Sequence, residues 1–117
     1  FLAMGHGWEA WKTFPHERQR LIDLVDQSSS ETVLFISGDR HRGGLYQLTT
    51  DSQKNIIEMT SSSLNLAFTN DEEAGPLRVG PTFVQENYGE IILDKLTNKM
   101  TVNLKDNQGQ IIQSVEL

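Results

Sequence analysis

The chain has 117 residues and no cysteine, so it is long enough for one domain with one core and has neither a disulfide framework nor a thiolate zinc site. A net charge of −6 at pH 7 argues against a general nucleic-acid surface, which needs an excess of Lys and Arg. No apolar run approaches the roughly eighteen residues of a membrane span, and the start lacks the basic residues of a signal peptide. Because the chain opens on Phe1 and not on Met, we expect a piece of something longer, either a processed fragment or part of a larger polypeptide.

Aromatic residues dominate the start of the chain. Trp8, Trp11 and Phe14 recur at a spacing of three, which favours packing into the core over lining a site. Pro15 stands where the first residue of a helix is expected, and apolar residues follow it at helical spacing: Leu21, Ile22, Leu24 and Val25. The sequence therefore predicts an amphipathic helix over Pro15–Gln27 that ends at a run of serines.

The next segment is an apolar strand that leads into a charged loop flanked by glycines. Residues 33–37 predict a buried strand, and residues 38–44 read Gly-Asp-Arg-His-Arg-Gly-Gly. A carboxylate and an imidazole two residues apart, Asp39 and His41, can converge on one cation or on neighbouring cations. Arg40 and Arg42 add fixed positive charge that suits phosphate. A plain turn with a solvated charge cluster is the alternative interpretation.

Two more strands follow on short turns. They are predicted over residues 45–49 and 56–60, and the serines at 61–63 then lie at the end of the third strand. If these strands pair, the serines reach the same edge as the loop that carries Asp39. A hydroxyl-rich run is also typical of a plain turn, so a site role for the serines is the less favoured interpretation.

The second half of the chain predicts a long loop and then a meander. Residues 67–81 read as the loop, and a calcium site on its acidic residues 71–73 is disfavoured because they lack the spacing of a dedicated calcium loop. Three antiparallel strands are predicted over 88–94, 100–104 and 111–115. One helix followed by mostly antiparallel strands makes the predicted fold class α+β.

Five short segments, taken together and in order, extend over nearly the whole chain. They are WKTFPHERQRL at 11–21, SGDRH at 37–41 with Leu45-Tyr46 after it, EMTSSSLN at 58–65, RVGP at 78–81 and ENYG at 86–89. This order resembles the C-terminal part of the PhoD-like (alkaline phosphatase D) family of metallophosphoesterases. The resemblance implies a calcineurin-like phosphoesterase fold, in which two β-sheets pack together and a metal centre lies at the strand ends. It also implies hydrolysis of phosphate monoesters or diesters.

The same resemblance assigns roles to residues of the charged loop. A Gly-Asp-x-His motif stands in the PhoD-like branch where the superfamily has Gly-His-x-His, so Asp39 and His41 are expected to be metal ligands. Arg40 and Arg42 flank them and are expected to contact phosphate. Oxygen and nitrogen ligands suit iron, calcium, manganese or zinc, and such a metal can generate a hydroxide nucleophile.

Other positions depart from the pattern of the family. Asn65 lies near a position where family members often have a histidine, so it is not assigned to metal. His6 and His16 are expected to be surface or packed residues. The earlier family motifs would all precede Phe1, so residues 1–117 are expected to be an incomplete domain that is inactive alone.

The resemblance also bears on partners and location. A half domain exposes strand edges and an apolar face at 33–36, so it is expected to bind the N-terminal half of the same domain or to self-associate. A small phosphate ester is the expected substrate, and a periplasmic or secreted location follows from the resemblance alone. The alternative function is a non-catalytic, β-rich accessory or interaction domain.

Overall fold

The computed structural model describes residues 1–69 and 75–117, and in them one α-helix precedes seven strands that form two sheets. A short 3-10 helix, Trp11–Thr13, leads into α1 (Pro15–Gln27). The strands are β1 (Thr32–Ser37), β2 (Gly43–Thr49), β3 (Asn55–Ser61), β4 (Arg78–Phe83), β5 (Asn87–Asp94), β6 (Lys99–Asp106) and β7 (Ile111–Glu116). All strand pairings except that of β1 with β3 are antiparallel, so the α+β class predicted from the sequence is confirmed.

Helix α1 has the bounds that the sequence predicts. Pro15 begins it, where a missing N–H costs nothing, and Glu17 adds negative charge at the positive end of the helix dipole. At the other end the Ser28 hydroxyl donates a hydrogen bond of 2.8 Å to the Val25 carbonyl. This carbonyl is one of the last four of the helix, which have no hydrogen-bond partner within the helix itself. Ile22 and Val25 are buried, so α1 packs on the core through this face.

The first sheet has the strand order β1-β3-β2-β4. Strand β1 runs parallel to β3, with Ser37 opposite Thr60 at the carboxyl ends. Strand β2 lies on the other side of β3 and runs antiparallel to it, with Gly43 opposite Ser61. The chain therefore leaves β1, crosses the carboxyl end of β3 and enters β2. This crossing connection, residues 38–42, is the charged loop.

The second sheet is the meander β5-β6-β7 that the sequence predicts. Leu45 and Met59 of the first sheet pack with Val102 of the second in a core cluster between the two sheets. Two glycines allow the two sheets to approach closely. A Cβ on Gly89 would collide with the Met59 side chain, and a Cβ on Gly43 would lie 2.7 Å from a side-chain carbon of Leu104 on β6. Close packing thus holds the second sheet against the strands that carry the charged loop.

A second core cluster forms where α1 and the first residues of the chain pack on the first sheet. Its buried members are Leu2, Ala3, Ile22, Val25, Tyr46 and Ile56. Glu58 on β3 is only 1% exposed, and its carboxylate accepts from the backbone nitrogens of Phe1 at 2.8 Å and of Leu2 at 2.5 Å. A buried carboxylate that is fully hydrogen-bonded in this way anchors the first residues on β3.

The prediction that the early aromatic residues pack in the core is wrong. Trp8 is 75% exposed, Phe14 is 63% exposed and Trp11 is 40% exposed, although Trp11 also contacts Phe1 edge-on with the ring centres 5.5 Å apart. The physical reason is that the segment forms bends and a 3-10 helix, so a spacing of three does not align the side chains on one α-helical face. The core volume is filled instead by Leu2, which is fully buried.

Two strand predictions also need correction. Residues 78–81, predicted as loop, belong to β4, which pairs with β2 at the edge of the first sheet. An edge strand tolerates Pro81 because one side of it needs no ladder hydrogen bonds. Strand β1, predicted as buried, is the opposite edge of the sheet and is half-buried, with Ile36 65% exposed. The acidic residues 71–73 lie outside the described residues.

Within the two described ranges, no helix combines the length and the hydropathy that crossing a membrane requires.

Candidate metal and phosphate site

The charged loop lies at the edge of the first sheet where β1 and β3 both end. Because these strands are parallel, their carboxyl ends meet at one edge, the usual place for a ligand site in such sheets. The Arg40 N–H donates to the Ser62 hydroxyl at 3.0 Å, and that hydroxyl donates to the Arg42 carbonyl at 3.2 Å. The prediction that the serines at the end of β3 reach the same sheet edge as this loop is confirmed. Ser62 is the serine that hydrogen-bonds to the loop backbone.

Both predicted ligands hold an uncommon backbone conformation. Asp39 has φ of 65° and His41 has φ of 51°, in the left-handed region that favours glycine. A side chain in that region costs on the order of 1 kcal/mol, and such strain clusters at functional sites. The Asp39 side chain is exposed and makes no hydrogen bond or ion pair with any described residue, so its oxygens are open to a cation.

His41 is held from one side by a segment that follows the serines. Its Nδ1 lies 2.9 Å from the Leu66 carbonyl oxygen, and the Phe68 N–H donates to the His41 carbonyl at 2.8 Å. The His41 and Phe68 rings stack, with centres 4.3 Å apart and planes 10° from parallel. Because a carbonyl oxygen can only accept, Nδ1 carries the proton, and the neutral imidazole has its lone pair on Nε2.

The two arginines that were predicted to contact phosphate have different environments. Arg42 is only 5% exposed, whereas Arg40 is half-buried and donates from Nη1 to the Tyr46 hydroxyl at 3.1 Å. Tyr46 is itself buried in β2, so it offers Arg40 a rigid support. Of the two arginines, Arg40 therefore has the more accessible side chain.

The described residues contain the two predicted metal ligands, Asp39 and His41, but no larger group of metal-binding side chains. Carboxylate oxygen and imidazole nitrogen are suitable donors, but no group of three or more His, Asp or Glu residues within 1–69 and 75–117 could hold a metal ion. Catalytic ions generally have at least three protein ligands, so an ion held by Asp39 and His41 would need further ligands from elsewhere. Asn65 and His16 are exposed, and His6 is buried.

Sequence reasoning missed the residues that support the loop. Leu66 and Phe68 contact His41 across 25 and 27 positions, and Tyr46 contacts Arg40 from the next strand. The alternation of apolar residues at 64, 66 and 68 was the one available signal, because it predicts an extended segment after the serines.

Two hydrogen-bonded carboxylates outside the charged loop have lowered pKa values. A hydrogen bond from Lys105 and another from Asn103 lower the pKa of Glu90, and the bond to Glu90 raises the pKa of Lys105. Hydrogen bonds from Thr97 and from the backbone N–H groups of the following turn lower the pKa of Asp94. These groups lie on the β5–β6 hairpin and stabilise its two strands.

No protein-family model, curated protein or solved structure matches the chain. The function is therefore inferred from the residues of the charged loop and from their surroundings.

Proposed function

We propose that the chain is the C-terminal part of a metal-dependent phosphoric ester hydrolase of the PhoD-like type, with a calcineurin-like fold. One observation carries the proposal: the Leu66 carbonyl fixes the Nδ1 proton of His41. Metal-binding histidines typically donate their other ring N–H to a carbonyl or carboxylate in this way. The two packed sheets and the position of the loop at the strand ends also support the proposal.

Each charged side chain of the loop has a role in this proposal. Asp39 provides a carboxylate oxygen and His41 provides Nε2 as ligands to iron, calcium, manganese or zinc. When bound, such a metal lowers the pKa of a bound water and polarises a phosphoryl oxygen. Arg40 contacts the phosphate oxygens from its support on Tyr46, and Arg42 adds positive charge from the interior.

The remaining ligands would come from the N-terminal half of the same domain. The chain alone is then inactive, and it needs that half or a second copy as its partner. The substrate is a small phosphate ester, and the location is periplasmic or secreted. No nucleic-acid surface is proposed, because the net charge is −6.

Metal binding tests the proposal on the chain itself. Titration with Zn²⁺ and with Mn²⁺, followed by calorimetry, is expected to show weak binding that falls at least about tenfold in His41→Ala and in Asp39→Ala. His16→Ala is the matched control, because His16 is exposed on α1. Binding that is the same in His41→Ala as in the original chain would overturn the proposal.

Activity is tested on a polypeptide that also contains the N-terminal half. Hydrolysis of p-nitrophenyl phosphate and of bis-p-nitrophenyl phosphate distinguishes a monoesterase from a diesterase. Loss of hydrolysis in His41→Ala, with His16→Ala unaffected, is the expected result. A metal-loaded polypeptide that hydrolyses neither ester would count against the hydrolase.

A second candidate function is a non-catalytic β-rich accessory or interaction domain in which residues 38–44 form only a tight turn. The observation that favours it is a set of exposed apolar side chains on the second sheet: Ile91, Ile92, Leu93 and Ile111. Metal binding that depends on His41 separates the two functions, because the accessory domain requires none.

A further inference from the structure

We infer that Phe68 is a positioning residue that holds the imidazole plane of His41 for metal binding, together with the Leu66 carbonyl. We call residues 66–68, which contact His41 from one side, the histidine clamp. The inference rests on the proposed function, because it names the residue that prepares one of its ligands. It adds a role to a residue that is outside the charged loop and carries no metal-binding atom.

The histidine clamp is tied to His41 at two backbone points. The Leu66 carbonyl accepts from His41 Nδ1 at 2.9 Å, and the Phe68 N–H donates to the His41 carbonyl at 2.8 Å. The first bond involves the side chain of His41 and the second its main chain. Together they set the position of the clamp, and the first bond favours the proton on Nδ1 for as long as the ring stays against the Leu66 carbonyl.

The Phe68 ring supplies the third contact. It lies face to face with the His41 ring, at 4.3 Å between centres and 10° between planes. One hydrogen bond at Nδ1 still allows changes in χ1 and χ2 that tilt the imidazole or move it away from the carbonyl, and a stacked ring restricts these movements. Phe68 is 45% exposed and belongs to neither core cluster, so the His41 ring is its one described aromatic contact.

The clamp has a chemical consequence for the neutral imidazole. A proton fixed on Nδ1 leaves the lone pair on Nε2, and a fixed ring plane holds that lone pair in one direction. A ligand that is already oriented loses less side-chain entropy when it binds a metal. Loss of such a supporting group typically costs about 10- to 100-fold in metal affinity.

The tautomer is measured first, without metal. Imidazole ¹⁵N shifts at about pH 9, where an ordinary imidazole is neutral, report the protonated nitrogen. The His41 signals are assigned by their loss in His41→Ala. We expect a single Nδ1–H tautomer in the original chain, a mixture of tautomers in Phe68→Leu, and the original pattern in Phe68→Tyr, which keeps the ring.

Metal affinity is measured next, by calorimetric titration of the same variants with Zn²⁺ and Mn²⁺. We expect Phe68→Leu to weaken binding about tenfold and Phe68→Tyr to restore it. Phe14→Leu is the matched control, because Phe14 is an exposed aromatic residue that lies outside the clamp. Circular dichroism shows whether Phe68→Leu has kept its fold.

The outcomes separate this inference from the proposed function. If binding depends on His41 but Phe68→Leu keeps the tautomer and the affinity of the original chain, the positioning role is wrong and the metal site stands. If His41→Ala binds metal like the original chain, the proposed function fails. A mixed tautomer in the original chain would overturn the clamp without any measurement of metal binding.

Discussion

Asp39 and His41 are the two residues of the charged loop whose backbone conformation conflicts with their side chains. Both have positive φ, and neither is the glycine that would adopt this conformation without cost. Surrounding contacts maintain the strain, since the Ser62 hydroxyl bonds to the backbone on both sides of His41. Strain on a carboxylate and an imidazole, in a loop bounded by glycines, is consistent with the metal-binding role proposed for these side chains.

Replacing Asp39 with Gly is therefore expected to separate stability from function. The variant should unfold at higher denaturant, with a gain of about 1 kcal/mol, because glycine adopts positive φ without the Cβ clash. Metal binding should be lost in the same variant, because the proposed carboxylate ligand is gone. Urea denaturation followed by calorimetric metal titration measures the two effects on one sample.

Gln53→Gly is the matched control for this prediction. Gln53 also has positive φ, 64°, but it lies in the turn between β2 and β3. It should gain stability by a similar amount and leave metal binding unchanged. An Asp39→Gly chain that is less stable than the original, or that binds metal equally well, would contradict the strain argument.

Helix α1 is joined to the turn between β2 and β3 by the carboxylate of Asp26. Its Oδ1 accepts from the Ser52 N–H at 3.1 Å and its Oδ2 from the Ser52 hydroxyl at 3.0 Å. A hydrogen bond from Thr50, followed by those from Ser52, lowers the pKa of Asp26 below its usual range. This connection fixes the end of α1 on the sheet.

The lowered pKa makes the stabilising effect of Asp26 dependent on pH. A carboxylate with a lower pKa in the folded state stabilises the fold above its unfolded pKa, and the effect disappears as pH falls through the folded pKa. Asp26→Asn should therefore be less stable than the original chain at neutral pH and equal to it in strong acid. Urea midpoints measured across the acid range test this convergence.

Asp51→Asn is the control for Asp26. It removes the same charge from an exposed residue in the same turn, so its stability difference should stay near zero at each pH. A deficit in Asp26→Asn that persists unchanged into strong acid would show that the hydrogen bonds to the ionised carboxylate are not its cause.

The elements that follow local rules could be predicted from the sequence, and those that depend on distant contacts could not. The bounds of α1 follow from Pro15 and the serines after Gln27, and the meander follows from alternating residues and polar turns. Strand β4 was missed because Gly80 and Pro81 are typical of turns, while its pairing with β2 is non-local.

The candidate site divides in the same way. Asp39 and His41 lie in a motif that is visible in the sequence, and the parallel pairing of β1 with β3 brings Ser62 to them. The clamp residue Phe68 and the support residue Tyr46 could not be predicted, because their roles depend on where separate segments meet. The spacing of residues along the chain does not predict that the Phe68 ring stacks on His41, 27 positions earlier.

At the scale of the whole molecule, the two sheets of the described residues each end in two edge strands. Strands β1 and β4 flank the first sheet, and β5 and β7 flank the second. The end of β5 is exposed on successive residues, including Leu93 at 67%. Open edges and apolar side chains together favour pairing with another chain.

We therefore expect the chain to self-associate when no N-terminal half is present. Size-exclusion chromatography with light scattering should show a mass that rises with concentration above the 13.2 kDa of one chain. Leu93→Lys should reduce this association, because a lysine on an edge strand opposes pairing. Leu96→Lys is the control: it adds the same charge at an exposed leucine in the turn after β5, so it should leave the association unchanged.

The physical reason for this difference is the position of the two leucines. Leu93 pairs with Met100 on one side of β5, and on the other side no described residue pairs with Leu93, so a further strand can be added there. Leu96 lies beyond the last paired residue, Asp94, and contributes to no ladder. A chain that stays monomeric at every concentration would show that the open edges are protected, and the expected need for a partner half would then be wrong.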